Sequence, residues 1–299
     1  METLSKTAVK ALLKDLLEGV PTNGFAEIRL IDPKRSGTIV IRGYLIGRKR
    51  RPYVDENGAI LSIESGYATL TPKKYRQEYS KYPIYYYDLK EIKHLEGNKF
   101  IGLLKQEYPK LKKIVVGFDF CFGKNRGYCI KQLKEIFDGE VIVIDEFQID
   151  NISVHSRTIR KYISNGDLIT ANKLLNKEYK IYGTQIKGQG LGTKSFVPTI
   201  NLEVEDFLLP QAGVYISKTI LNNIEYNSIT FLGHRVTTDG SFAIETHIFN
   251  ENIINDDYEI EIKFLKKLRD NKKFESFEEL KEQILFDIKT AKEYFSHKI

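Results

Sequence analysis

The sequence predicts two halves of different construction: an α/β layer with a parallel sheet, followed by a small all-β barrel or sandwich closed by one helix. Three observations carry this. Strand-like and helix-like runs alternate between residues 59 and 175. From residue 180 onward, short strand candidates follow one another with no helix between them. The C-terminus then carries a single amphipathic stripe. A length of 299 residues suits two compact domains, and 41% apolar residues can fill both cores.

Taken in order, Leu4, Ala8, Ala11, Leu12 and Leu16 recur at helical spacing and stop before Gly19 and Pro21. The pattern is weak from there to residue 58. Residues 59–63 and 84–87 read as strands, and 89–108 as a helix. Residues 113–117 form the continuous apolar run expected of a buried parallel strand; 141–144 form a second. Residues 128–137 read as a helix between them, and 157–175 as a helical stretch closing this half. Six strand candidates follow, at 180–186, 199–204, 214–221, 226–232, 243–249 and 258–264. Ser276 and Glu279 form a capping-box pair, after which Leu280, Ile284, Ile288, Ala291 and Phe295 line one helix face. The expected domains are a basic segment 1–57, an α/β domain 58–177 and a β domain 178–299.

The formal charge is +6, but its location matters more. Residues 29–51 hold eight basic side chains (Arg29, Lys34, Arg35, Arg42, Arg48, Lys49, Arg50, Arg51) against Asp32, so the rest of the chain sums to −1. No apolar run approaches the roughly 18 residues of a membrane span. The first 19 residues interleave Lys6, Lys10, Lys14, Asp15 and Glu18 with apolar positions, unlike a signal peptide. Cys121 and Cys129, the only cysteines, allow neither a disulfide framework nor a four-cysteine zinc site. A cytoplasmic location and no membrane partner are expected.

Three pieces of the second half carry chemistry. Gly183, Gly188, Gly190 and Gly192, with Lys187 and Lys194, would let backbone N–H groups approach an anion. Thr199 and Asn201, two apart on a strand, project oxygens to one face; such neutral oxygens suit a Mg²⁺ held mainly by ATP phosphates and water. In residues 243–248, alternation puts Glu245 and His247 on one face and Ile244, Thr246 and Ile248 on the other, and a strand carboxylate beside a phosphate loop can deprotonate a hydroxyl. Each has a plainer reading on its own: a barrel hairpin, an edge-strand start, a solvated face. For His247 the solvated face is the preferred one.

Together these pieces, with Leu209-Pro210, Gly213-Val214-Tyr215, Arg269, Phe274, Leu280 and Asp287 in the same order, resemble the riboflavin kinase module of bacterial bifunctional riboflavin kinase/FMN adenylyltransferases over about residues 181–292. The resemblance implies a six-stranded antiparallel β-barrel with a C-terminal helix, transferring the γ-phosphate of MgATP to the 5′-hydroxyl of riboflavin to give FMN. It implies Glu245 as base, Thr199 and Asn201 at Mg²⁺, and the glycine loop with Lys194 over the phosphates. By the same likeness, Gly213, Val214, Tyr215 and Arg269 would contact flavin. Ile200 and Phe196 depart from the family pattern, where an alanine and a glycine are usual.

Residues 113–128 and 153–160 are similar to the family's adenylyltransferase domain, which implies a Rossmann-like nucleotidyltransferase fold with Ser156 and Arg160 at nucleotide phosphates. The family's early His-x-Gly-His motif has no counterpart: histidines occur only at 94, 155, 234, 247 and 297. Its place is taken by the basic segment. That segment reads as part of a retained scaffold without catalysis, as a region with another role, or as a frame-shifted replacement. The leading expectation is therefore a riboflavin kinase with doubtful adenylylation and small-molecule substrates. A full bifunctional FAD-forming enzyme is the alternative within the class, and a flavin- or nucleic-acid-binding regulator the alternative outside it, with nucleic acid not expected.

Overall fold

In the computed structural model, six strands of the second half close on themselves. The structure describes residues 25–31 and 38–44 (backbone only), 58–64, 69–80, 82–186, 197–235, 240–249 and 259–297. The expected helix at 4–17 and most of the basic segment lie outside them. Two compact units result: Met1–Ser65 with Ser80–Asp145, and Gly66–Tyr79 with Glu146–Ile299.

In the first unit, β1 (Phe25–Ile31) and β2 (Thr38–Tyr44) form an antiparallel hairpin in a stretch where the sequence pattern is weak. β3 (Ile60–Glu64) pairs in parallel with β4 (Ile84–Asp88), and β5 (Lys113–Gly117) with β6 (Glu140–Ile144). Among the described residues the expected parallel sheet is thus present as two separate pairs. The helix expected at 89–108 is broken into a turn, Leu89–Ile92, and α2 (Gly97–Glu107), whose buried Phe100, Ile101 and Leu104 share a core with Leu133 of α3 (Ile130–Ile136). The entry to α2 is set by a close approach: a Cβ on Gly97 would lie 2.4 Å from the Tyr128 ring, while Tyr128 donates to Glu96 at 2.9 Å.

The second unit is built on β7 (Tyr179–Ile186), β8 (Ile200–Glu203), β9 (Gly213–Leu221), β10 (Ile224–His234), β11 (Phe242–Ile248) and β12 (Glu259–Asp270), adjacent in the order β7-β8-β11-β10-β9-β12 and closed antiparallel from β12 back to β7. Closure removes the open edges that would otherwise invite association. Apolar side chains fill the interior: Ile181, Tyr215, Leu221, Leu232, Ile244, Ile260, Ile262 and Phe264. Between them sits a ring of five wholly buried hydroxyls. Thr230 donates to Thr246 (3.1 Å) and Thr219 to Ser228 (2.9 Å); Ser217 bonds Ser228 (2.9 Å) and Thr230 (2.8 Å), and Thr219 bonds Thr246 (3.0 Å). One circulation, each hydroxyl donating once and accepting once, satisfies all five.

Three further elements pack on this barrel. The helical stretch at 157–175 is split into α4 (Ser156–Ser164) and α5 (Leu168–Leu175) because Gly166 takes φ +77° and Asp167 caps Thr170. Ile159, Ile163, Leu168, Ala171 and Leu174 join the barrel core. α6 (Phe277–Ser296), opened by Ser276 accepting from Glu279 N, buries Ile288 and Ala291 against Val214, Ile216, Ile229 and Leu265. The third is a strap that includes α1 (Lys73–Arg76): Thr69 pairs with Phe207, the Tyr75 ring stacks on Tyr182 at 4.1 Å, and the Tyr75 hydroxyl donates to Glu259 at 2.6 Å.

Replacing Thr246 with valine keeps the side-chain shape but leaves Thr219 and Thr230 short of a partner. The expected loss is about 1–3 kcal/mol of unfolding free energy. Equilibrium denaturation of T246V beside the parent checks this, with an unchanged midpoint as the contrary result.

Candidate active site

Position on β11 decides which groups face outward. Thr246 belongs to the interior ring, so Glu245 and His247 must lie on the opposite face, and both are half-buried there while Ile244, Thr246 and Ile248 are buried. Antiparallel pairing puts Asn201 of β8 directly beside Glu245, and Ile200 beside Thr246. Thr199 stands exposed at the entry to β8. The structure therefore brings Asn201 and Glu245 together, with Thr199 two residues before Asn201, just outside the strand.

A residue that the motifs do not single out joins them. Arg235, just past the end of β10, donates from Nε (2.8 Å) and Nη2 (2.5 Å) to Glu245 Oε1, from Nη2 to Asn201 Oδ1 (2.8 Å), and from Nη1 to Ser241 Oγ (2.9 Å). Its own N–H donates to the Ser241 carbonyl at 2.9 Å, so it falls in step with the face carrying Glu245. That hairpin parity is the signal by which the sequence could have exposed it.

His247 is not a solvated side chain. Its Nδ1 lies 2.8 Å from the Pro198 carbonyl, which can only accept, so Nδ1 carries the proton. The bond ties β11 to the residue immediately before Thr199. Burial pushes the imidazole pKa below its ordinary 6.5, against the pull of the Pro198 carbonyl; the nearby Lys292 ammonium lowers it further.

The other candidate residues are distributed as follows. Gly183, buried on β7, allows a close approach: a Cβ there would meet Glu203 O and Val204 Cγ2 at 2.9 Å. Gly188, Gly190, Gly192 and Lys194 fall outside the described residues. Gly213, Val214 and Tyr215 open β9 and are buried; a Cβ on Gly213 would come within 2.5 Å of the Arg269 carbonyl. The Tyr215 hydroxyl donates to the Gln211 carbonyl, and burial raises its pKa. Arg269 grips the buried Asp287 of α6 through Nε and Nη2 (2.8 Å each), with Gln283 donating to the other carboxylate oxygen, so it locks helix to barrel. Ser156 is exposed and Arg160 half-buried, on α4.

Among the described residues no helix is long and apolar enough to cross a membrane, and no cluster of three His, Cys, Asp or Glu side chains is poised for a metal. Residues 175–295 match the family model described as Flavokinase: Riboflavin kinase, so the barrel half is a riboflavin kinase domain. The chain is 33% identical over 204 residues to the bifunctional riboflavin kinase/FMN adenylyltransferase of Haemophilus influenzae, covering 66% of each. It is 33% identical over 210 residues to that of Buchnera aphidicola subsp. Schizaphis graminum, covering 68% of this chain and 67% of the relative. These matches span about two thirds of the relatives' own length. The crystal structure described as a macrolide-efflux protein from Streptococcus pneumoniae has a TM-score of 0.68 at 24% identity, over 79% of this chain and 84% of that one, a likeness of fold alone. The chain belongs to the bifunctional riboflavin kinase/FMN adenylyltransferase family.

The lowered pKa of half-buried His247 sets a pH dependence. A histidine whose folded pKa is depressed contributes stability that is complete above its unfolded value of about 6.5 and is lost as pH falls through the lower folded value. Unfolding free energy measured from pH 7.5 down to pH 5 should fall less steeply in H247Q than in the parent; parallel curves would contradict the assignment.

Proposed function

We propose that the barrel phosphorylates riboflavin at its 5′-hydroxyl with MgATP, releasing FMN and ADP. The observation that carries this reading is the pairing of Asn201 with Glu245 on adjacent strands, with Thr199 at the entry to the first of them. In phosphoryl transfer, positioning and charge neutralisation supply most of the acceleration, with a base giving modest help. Glu245 accepts the hydroxyl proton as the new O–P bond forms and the bond from the γ-phosphorus to the ADP oxygen breaks. Asn201 and Glu245 suit a cation: their oxygens already converge on one positively charged group, Nη2 of Arg235. The Thr199 hydroxyl and Asn201 Oδ1 would hold Mg²⁺, which supplies neutralisation of phosphate charge. Gly188, Gly190, Gly192 and Lys194 are assigned to the ATP phosphates, and the region of Gly213 and Arg269 to the flavin. Ser156 and Arg160 are assigned to nucleotide phosphates of an adenylyltransferase-type site.

The names of the relatives support a second reading, in which FMN is further converted to FAD. A cytoplasmic enzyme with small-molecule substrates fits both. Riboflavin and MgATP incubated with purified protein, with flavins separated chromatographically, distinguishes them: FMN supports the kinase reading, FAD the bifunctional one, and neither product overturns both. E245Q should lower turnover by about 10²-fold or more. N201A should raise the KM for MgATP more than it lowers kcat.

A further inference from the structure

Arg235 is held more firmly than a surface ion pair requires. Its N–H bonds the Ser241 carbonyl at 2.9 Å, and its carbonyl accepts from Gly240 N at 3.1 Å. His234, the residue before it, is fixed in turn by Asn271 Nδ2 on its carbonyl (2.7 Å) and by its own Nδ1 against the Gly240 carbonyl (2.9 Å). From this base the guanidinium bonds Glu245, Asn201 and Ser241, with only 18% of the side chain exposed. A planar fork of this kind sets directions as well as charge.

One of those bonds has a consequence for metal binding. Nη2 donates to Asn201 Oδ1 and Glu245 Oε1 together, so it occupies the oxygen that the kinase reading gives to Mg²⁺. Mg²⁺ takes its oxygens at about 2.1 Å, and a second positive group within about 4 Å is repelled. On Asn201 Oδ1 the two positive groups would therefore oppose each other. We propose that Arg235 is a positioning residue that holds Asn201 and Glu245 together in the nucleotide-free protein, and that Mg²⁺-nucleotide binds by displacing its guanidinium from Asn201. The guanidinium then keeps Glu245 and Ser241 as partners. This rests on the kinase reading of the site and adds that metal entry is opposed by a cation belonging to the chain.

The test is the Mg²⁺ enhancement of ADP affinity, measured by calorimetry on the full chain as the ratio of Kd in EDTA to Kd in Mg²⁺. Nucleotide without metal needs no exchange, so R235Q should bind ADP in EDTA as the parent does. With Mg²⁺ the opposing bond is gone, and the enhancement should rise about tenfold, in keeping with one charge-assisted hydrogen bond. R235K, which keeps the charge but not the fork, should fall between. Thermal melting of each variant reports whether it folds; a purely structural role lowers the melting temperature and leaves the ratio alone. An unchanged or reduced enhancement in folded R235Q and R235K overturns the proposal, as does weaker ADP binding in EDTA, which would make Arg235 a phosphate ligand. Failure of the parent protein to form FMN counts against the kinase reading itself; FMN formation with an unchanged ratio counts against the displacement alone.

Discussion

The ring of hydroxyls inside the barrel is the constraint from which the site follows. Ser217 and Thr219 from β9, Ser228 and Thr230 from β10 and Thr246 from β11 satisfy one another only if those three strands keep their register. A slip of one residue would turn buried hydroxyls outward and apolar side chains with them, leaving partners unpaired in a medium where that is costly. Thr246 is the decisive member, because it sits between Glu245 and His247. Fixing its hydroxyl inside fixes both neighbours outside, one against Asn201 and the other against the Pro198 carbonyl.

Among the described residues, two carboxylates of this half are each held by an arginine in fixed geometry. Glu245 meets Arg235, and Asp287 meets Arg269 and Gln283. The two arginines do different work. Arg269 joins α6 to β12 around a carboxylate that is nearly inaccessible, so it belongs to the architecture. Arg235 joins Asn201 of β8, Glu245 of β11 and Ser241 just before β11. A chain of polar contacts thus runs across the top of β8, β10 and β11, whereas the apolar contacts run through the interior and under α6.

Much of this was legible in the sequence, for reasons that differ by element. Period-two alternation at 243–248 placed Glu245 correctly, and the Ser276–Glu279 pair located the last helix start to the residue, because both signals are local. The helical stretch at 157–175 hid its break, since Gly166 needs a left-handed backbone that periodicity does not report. In the α/β half, apolar runs announce buried parallel strands without naming their neighbours; the described strands pair in parallel two by two. Arg235 stayed invisible for a related reason. Its partners lie 6, 10 and 34 residues away, and only the hairpin register gathers them. For His247, alternation gives the face but not the Pro198 carbonyl that partly covers it.

The strap at residues 69–79 gives the barrel a peculiar order of assembly. Lys74 and Tyr75 are joined to Glu259, 185 and 184 positions further along, and Tyr75 covers Tyr182 with its ring. On a ribosome the strap therefore emerges before any strand it will touch, and it waits while the intervening chain is made. Closing so long a loop is entropically slow, though length adds to its cost only logarithmically. The aromatic face of Tyr182 and the carboxylate of Glu259 stay uncovered until that closure, so the last strand of the barrel recruits one of the earliest-made segments of its own unit.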